Sequence, residues 1–111
     1  MKSEYVAILM TAPSADVAAQ ISESLVKSGL AACVSSISPI QSLFTWQGQV
    51  NRAEEVLLIA KTRADLFGEE FISTVKSAHP YDVPEIIALP IIGGSQDYLD
   101  WIREVTKKYA S

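Results

Sequence analysis

The chain has one cysteine, Cys33, and one histidine, His79, among 111 residues. A single thiol excludes an internal disulfide and suits a reducing compartment. Without a Cys-x-x-Cys or a spaced Cys/His set, no structural zinc site can be read. Cys33 follows two alanines and reads as a small hydrophobe. Positive charge is also scarce: 9 Lys and Arg stand against 13 Asp and Glu, for a net charge of −4. That balance argues against nucleic acid or an anionic membrane as a partner. The longest apolar runs, residues 56–60 and 86–92, are too short to span a bilayer. The start, Met1-Lys2-Ser3-Glu4-Tyr5, lacks the apolar stretch of a signal peptide. The expectation is a soluble, cytoplasmic protein. No G-x-S-x-G, H-E-x-x-H, Walker lysine or G-x-G-x-x-G is present, and one histidine limits any triad. Gly93-Gly94-Ser95 before a helix is only a weak anion-binding signal. The reading is therefore a protein that is not an enzyme and requires no cofactor.

Apolar residues make up 49% of the chain and charged residues 20%, which predicts one folded domain over residues 1–111. Residues 5–10 read as a buried strand, followed by a turn through Thr11-Ala12-Pro13-Ser14. Ser14 is suited to cap a helix whose Val17, Ile21 and Leu25 share one face and which Gly29 stops. A strand opens at residues 30–34, and Pro39 predicts a bend, bulge or edge position. Residues 40–62 read as a long antiparallel hairpin turning at Gln47-Gly48-Gln49. A second helix, capped within residues 62–65, carries Phe67, Phe71 and Val75 on one face; Gly68 weakens it if interior. A strand beginning at Ile86 ends at Gly93-Gly94. Ser95 then caps a last helix with Tyr98, Ile102, Val105 and Tyr109 on one face, joined by Trp101.

The order β-α-β-β-α-β plus a C-terminal helix predicts an α+β, ferredoxin-like fold with an antiparallel sheet. Both main helices then cover one face of that sheet. The strands are apolar nearly throughout rather than alternating, so the other face also needs cover. One short helix is too small for it. The predicted cover is another copy of the chain.

The stretch His79-Pro80-Tyr81-Asp82-Val83-Pro84-Glu85 joins the second helix to the last strand. Pro80 pushes His79 out of the helical region and ends the helix there. His79 is open to two readings, a helix C-cap or a metal ligand, and its isolation favours the cap. Glu85, Asp82 and Tyr81 form a possible polar cluster with Lys61 or Arg63, and Glu85 reads more readily as a structural partner than as an acid or base. Trp46 and Phe44 flank the hairpin tip as core or interface. A cleft lined by Tyr81, Glu85, Lys61 and Trp46 would receive a small molecule or a partner protein.

Taken as an ordered set, several motifs resemble the CutA family of divalent-cation tolerance proteins. They are Thr11-Ala12-Pro13, Leu30-Ala31-Ala32-Cys33-Val34, the Trp46-x-Gly48 tip, Glu55-Val56-Leu57-Leu58-Ile59-x-Lys61-Thr62-Arg63, His79-Pro80-Tyr81-x-Val83-Pro84-Glu85-Ile86-Ile87 and Tyr98-Leu99-x-Trp101-Ile102. The resemblance implies a homotrimer of PII-like architecture and a role in tolerance to divalent cations, copper especially. It places the proposed copper ligands of some members, a cysteine and two adjacent histidines, at Met10, Ala78 and His79. His79 is the retained imidazole, and Met10 offers a thioether suited to Cu(I).

Overall fold

The structure, a computed structural model, describes residues 3–107. Tyr109, expected in the last helix, lies outside the described residues. The chain runs β1 (Tyr5–Ala12), α1 (Ala15–Lys27), β2 (Cys33–Trp46), β3 (Gln49–Arg63), α2 (Glu69–Ala78), β4 (Ile86–Ile91) and α3 (Gln96–Val105). The strands form one four-stranded sheet in the order β2-β3-β1-β4, with every pairing antiparallel. This is the ferredoxin-like arrangement that the element order predicts.

Local chemistry explains most boundaries. Ser14 Oγ accepts from the Val17 N–H at 3.2 Å, as a helix N-cap should. Gly29 ends α1 with φ +77°, while the Leu30 and Ala31 N–H groups donate back to the Leu25 carbonyl. Those two residues therefore close the helix, and β2 starts at Cys33 rather than Leu30. The hairpin turns through Gln47 and Gly48, both at positive φ, as a two-residue turn requires. Pro39 does not end β2; the ladder shifts register between Ile37 and Ile40 and continues.

Other boundaries depend on distant partners. β1 continues through Thr11 and Ala12 because β3 supplies Leu57 and Val56 opposite them. Residues 62–65 cap no helix: Thr62 and Arg63 finish β3, and Ala64–Leu66 form a 3-10 turn. α2 starts later, with Gly68 at its N-cap, where a glycine costs little. Phe67 precedes the helix yet still packs edge-on to Phe71, with ring centroids 5.5 Å apart. Pro90 lies within β4, which is possible because β4 is an edge strand. Ser95 occupies the α3 N-cap position without a side-chain capping bond.

The two faces of the sheet differ. In β1 and β3 the cross-strand pairs Ile8–Ala60, Met10–Leu58 and Ala12–Val56 share one face. All six are buried under Ile21 and Leu25 of α1 and Phe71 and Val75 of α2. On the opposite face Leu9 pairs with Ile59 and Ile87, Ala7 with Leu89, and Leu57 with Ile37. Ile37, Ile87 and Leu89 there remain about half exposed. α3 covers one end of this face, where Ile102 and Leu99 pack with Tyr5, Ala32 and Ile91. The rest of its expected apolar stripe is not core: Tyr98, Trp101 and Val105 are exposed.

β2 and β3 outrun the other strands. β3 pairs with β1 only from Val56 to Arg63, so its first residues pair with β2 alone. The result is a two-stranded arm bearing exposed Leu43, Phe44, Trp46 and Val50. Among the described residues no helix is long and apolar enough to cross a membrane.

Candidate functional site

The stretch after α2 folds back onto the end of β1. His79 leaves the helix with extended dihedrals and its backbone N–H donates to the Lys76 carbonyl at 3.2 Å. Its ring is buried. Nε2 lies 2.7 Å from the Thr11 carbonyl oxygen. A carbonyl can only accept, so Nε2 carries the proton in this bond. Nδ1 accepts the Tyr81 N–H at 3.2 Å. One imidazole thus ties the loop to β1 with both nitrogens in use, and its ring packs tilted against Tyr81 with centroids 4.8 Å apart. His79 occupies the C-cap position of α2, but its ring bonds to β1 and to the loop rather than to a helix carbonyl. A metal at either nitrogen has to displace one of those bonds.

Met10 stands opposite Leu58 and Ile86 in the ladder, sealed within the core. Its thioether is closed to solvent. Among the described residues no group of three or more His, Cys, Asp or Glu side chains is arranged to hold a metal ion.

Between the β2–β3 arm and the loop lies a groove of about 630 Å³. Leu43, Phe44 and Trp46 of β2 form one wall, and Tyr81, Asp82 and Val83 of the loop form the other. Glu85 lines it at the start of β4, and Thr11 and Glu55 form its floor. The Tyr81 hydroxyl donates to Glu55 Oε2 across a long 3.4 Å. Burial, and then the charge of Glu55, push the Tyr81 phenol above its ordinary pKa. Glu55 is only 7% exposed and Thr11 8%. None of the groove's lining residues is basic.

Of the expected cleft residues, Tyr81, Glu85 and Trp46 come together here. Lys61 does not join them within the chain. It sits between Ala7 and Cys33 in the sheet, and its Nζ donates to Ser35 Oγ at 2.9 Å. Arg63 is farther along β3, forked onto Asp65 with both bonds at 2.9 Å. The polar cluster expected of these two cations with Glu85 therefore does not form. Its acidic half forms around Glu55 and Thr11, which the sequence reading did not single out. The available signal was a glutamate immediately before the apolar run at residues 56–60.

The CutA1 divalent ion tolerance protein family model matches residues 6–105. The divalent-cation tolerance protein CutA of Thermus thermophilus is 46% identical over 99 residues, covering 89% of this chain and 95% of that protein. The chloroplastic protein CutA of Arabidopsis thaliana is 41% identical over 92% of this chain, which spans only 56% of that longer relative. The crystal structure of CutA1 from Shewanella sp. SIB1 superposes with a TM-score of 0.92 at 36% identity, covering 97% of this chain and 100% of that one. Sequence, strand order and solved relatives agree, and the chain belongs to the CutA1 divalent ion tolerance family.

Proposed function

We propose that the chain serves in divalent-cation tolerance as a homotrimer of PII-like architecture, with the open faces of its sheets turned toward one another. The observation that carries this is the uncovered apolar face. Ile37, Ile87 and Leu89 stand about half exposed beside Leu9, Leu57 and Ile59, and α3 reaches only one end. The arm adds Leu43, Trp46 and Val50, and a two-stranded ribbon gains little stability by itself. Sister subunits would cover both at once. Copper contact in this reading is weak and runs through His79. Its imidazole first has to release Thr11 or Tyr81, and Met10 contributes only after local opening of the core.

Native mass spectrometry at micromolar subunit concentration, with and without Cu(II), tests both parts. The expected result is three chains per particle in either condition, with copper retained at low occupancy by the wild type and lost by His79→Ala. A monomer would overturn the assembly. Equal copper retention by the two proteins would remove His79 from metal binding.

A further inference from the structure

We infer that the groove between the arm and the loop is completed across the subunit interface, where Lys61 of the partner subunit enters it as the countercharge of Glu55. The pairing rests on the trimer proposed above and names the residues that meet at each of its interfaces.

Along β3, Glu55, Leu57, Ile59, Lys61 and Arg63 alternate onto the open face of the sheet. Glu55 is more than nine-tenths buried, and its one hydrogen bond among the described residues is the long one from Tyr81. Such a carboxylate needs a positive partner, the more so once a second sheet covers the face and excludes water. Of the two cations in phase with it, Arg63 is forked onto Asp65. Lys61 has no carboxylate within ion-pair distance among the described residues. Its Nζ meets Ser35 Oγ at 2.9 Å and the Ile59 carbonyl at 3.4 Å, both uncharged.

Glu55 and Lys61 cannot meet within one chain. Along the strand they stand about 20 Å apart, with Leu57 and Ile59 between them on the same face. An apolar face with an acid toward one side and a cation toward the other is complementary to a second copy of itself. In a three-fold ring every contact is heterologous, so each subunit offers its groove to one neighbour and its Lys61 to the other. The groove suits that visitor. None of its lining residues is basic, and exposed Asp82 and Glu85 add negative charge. Phe44, Trp46 and Tyr81 present aromatic faces that attract an ammonium and cover its methylene stem. An ammonium carries three N–H donors, enough to serve both Glu55 and the Thr11 hydroxyl on the floor. Tyr81, Glu85 and Trp46 come from one chain, and Lys61 of the partner subunit restores the fourth member of the expected cleft.

Lys61 also has a fallback, because its own Ser35 still accepts from Nζ when Glu55 is neutralised. Glu55→Gln therefore removes the carboxylate while leaving the trimer in place. Carbodiimide coupling of the full-length protein, which joins a carboxylate to an amine in direct contact, tests the pairing. The expected product is an amide between Glu55 and Lys61 of two different chains, mapped by peptide mass spectrometry and at least tenfold less abundant in Glu55→Gln. Lys61→Glu sets like charges together and should lower the trimer fraction at least tenfold at micromolar concentration in native mass spectrometry. Adding Glu55→Gln to that variant should restore most of the trimer. A wild-type trimer whose Lys61 couples to a different carboxylate, or to none, would overturn the pairing and leave the trimer standing. So would a Lys61→Glu protein as trimeric as the wild type, or one that Glu55→Gln does not rescue. A monomeric wild type would overturn the trimer and the pairing together.

Discussion

β3 carries two nearly buried charges, one mid-strand and one at its last residue, in phase on the same face of the sheet. Arg63 is 6% exposed and Glu55 is 7% exposed. Arg63 uses four of its five N–H donors. Nε and Nη2 fork onto Asp65, while Nη1 reaches Thr106 Oγ1 at 3.2 Å and the Lys107 carbonyl at 2.9 Å. It thereby ties the end of α3 to the sheet. Glu55 has one long bond from Tyr81 and an oxygen open to the groove. The same strand thus holds a charge committed to architecture and a charge left available. Burial by itself does not separate the two roles; hydrogen-bond satisfaction does.

Removing each charge in turn gives the largest contrast. Arg63→Met keeps the apolar stem but strands the Lys107 carbonyl and one side of Asp65. We expect a loss of about 3 kcal/mol, since bonds to charged groups contribute roughly 1.5–3 kcal/mol each and are only partly replaced by water. Glu55→Gln, of nearly the same shape, should change stability by no more than about 0.5 kcal/mol. Urea denaturation of both variants at one fixed protein concentration measures the difference, because oligomer stability depends on concentration. Equal costs would place Glu55 in the architecture and dissolve the comparison.

Gly29 sharpens the Arg63 side. Its carbonyl accepts the Lys107 N–H at 2.8 Å, and a Cβ added there would come within 3.0 Å of both the Cβ and the N of Lys107. Its φ of +77° also disfavours any side chain. Gly29→Ala should cost about 2 kcal/mol, from left-handed strain and from crowding of the chain after α3. Both Gly29 and Arg63 grip Lys107, so the double variant should cost less than the sum. A double-mutant cycle by denaturation would detect this, and strict additivity would show that the two grips are independent.

The legible part of the fold was local. Strand and helix order followed from apolar runs, from the serine before α1 and from the glycine turn at residues 47–48. The need for cover on the second face followed from strands that fail to alternate. The bonds that separate Arg63 from Glu55 were not legible, because they join residues far apart in the chain. Lys61 illustrates the limit: it was expected in a cleft with Tyr81, Glu85 and Trp46, but the ladder carries it along the sheet to Ser35. His79 was half legible. Proline marked its position and its isolation favoured a cap, while its grip on Thr11 required the returning loop. Family identity came from motifs taken together, since no one of them carries an activity.

The smallest expected effect is in pH, where the partners of Arg63 and of Glu55 act on opposite limbs. The Asp65 carboxyl is held below its ordinary value of 3.8, chiefly by the hydrogen bonds from Arg63 and against a burial penalty. A folded-state pKa below the unfolded one contributes stability that is present above pH 3.8 and lost as pH falls through the lowered value. Half of the Asp65 side chain is exposed, so screening limits the contribution to below about 1 kcal/mol. Beside Glu55, Tyr81 is raised above 10.0 by burial and by the Glu55 charge. Stability from the neutral phenol is present below pH 10.0 and lost as pH rises toward the raised value. Asp65→Asn should flatten only the acid limb of a plot of denaturation midpoint against pH, and Tyr81→Phe only the alkaline limb. Tyr98 is also raised, so some alkaline slope should survive in Tyr81→Phe. If either substitution flattened both limbs, the two charges of the strand would be coupled, and satisfied and unsatisfied charge could no longer be treated as separate properties of one sheet.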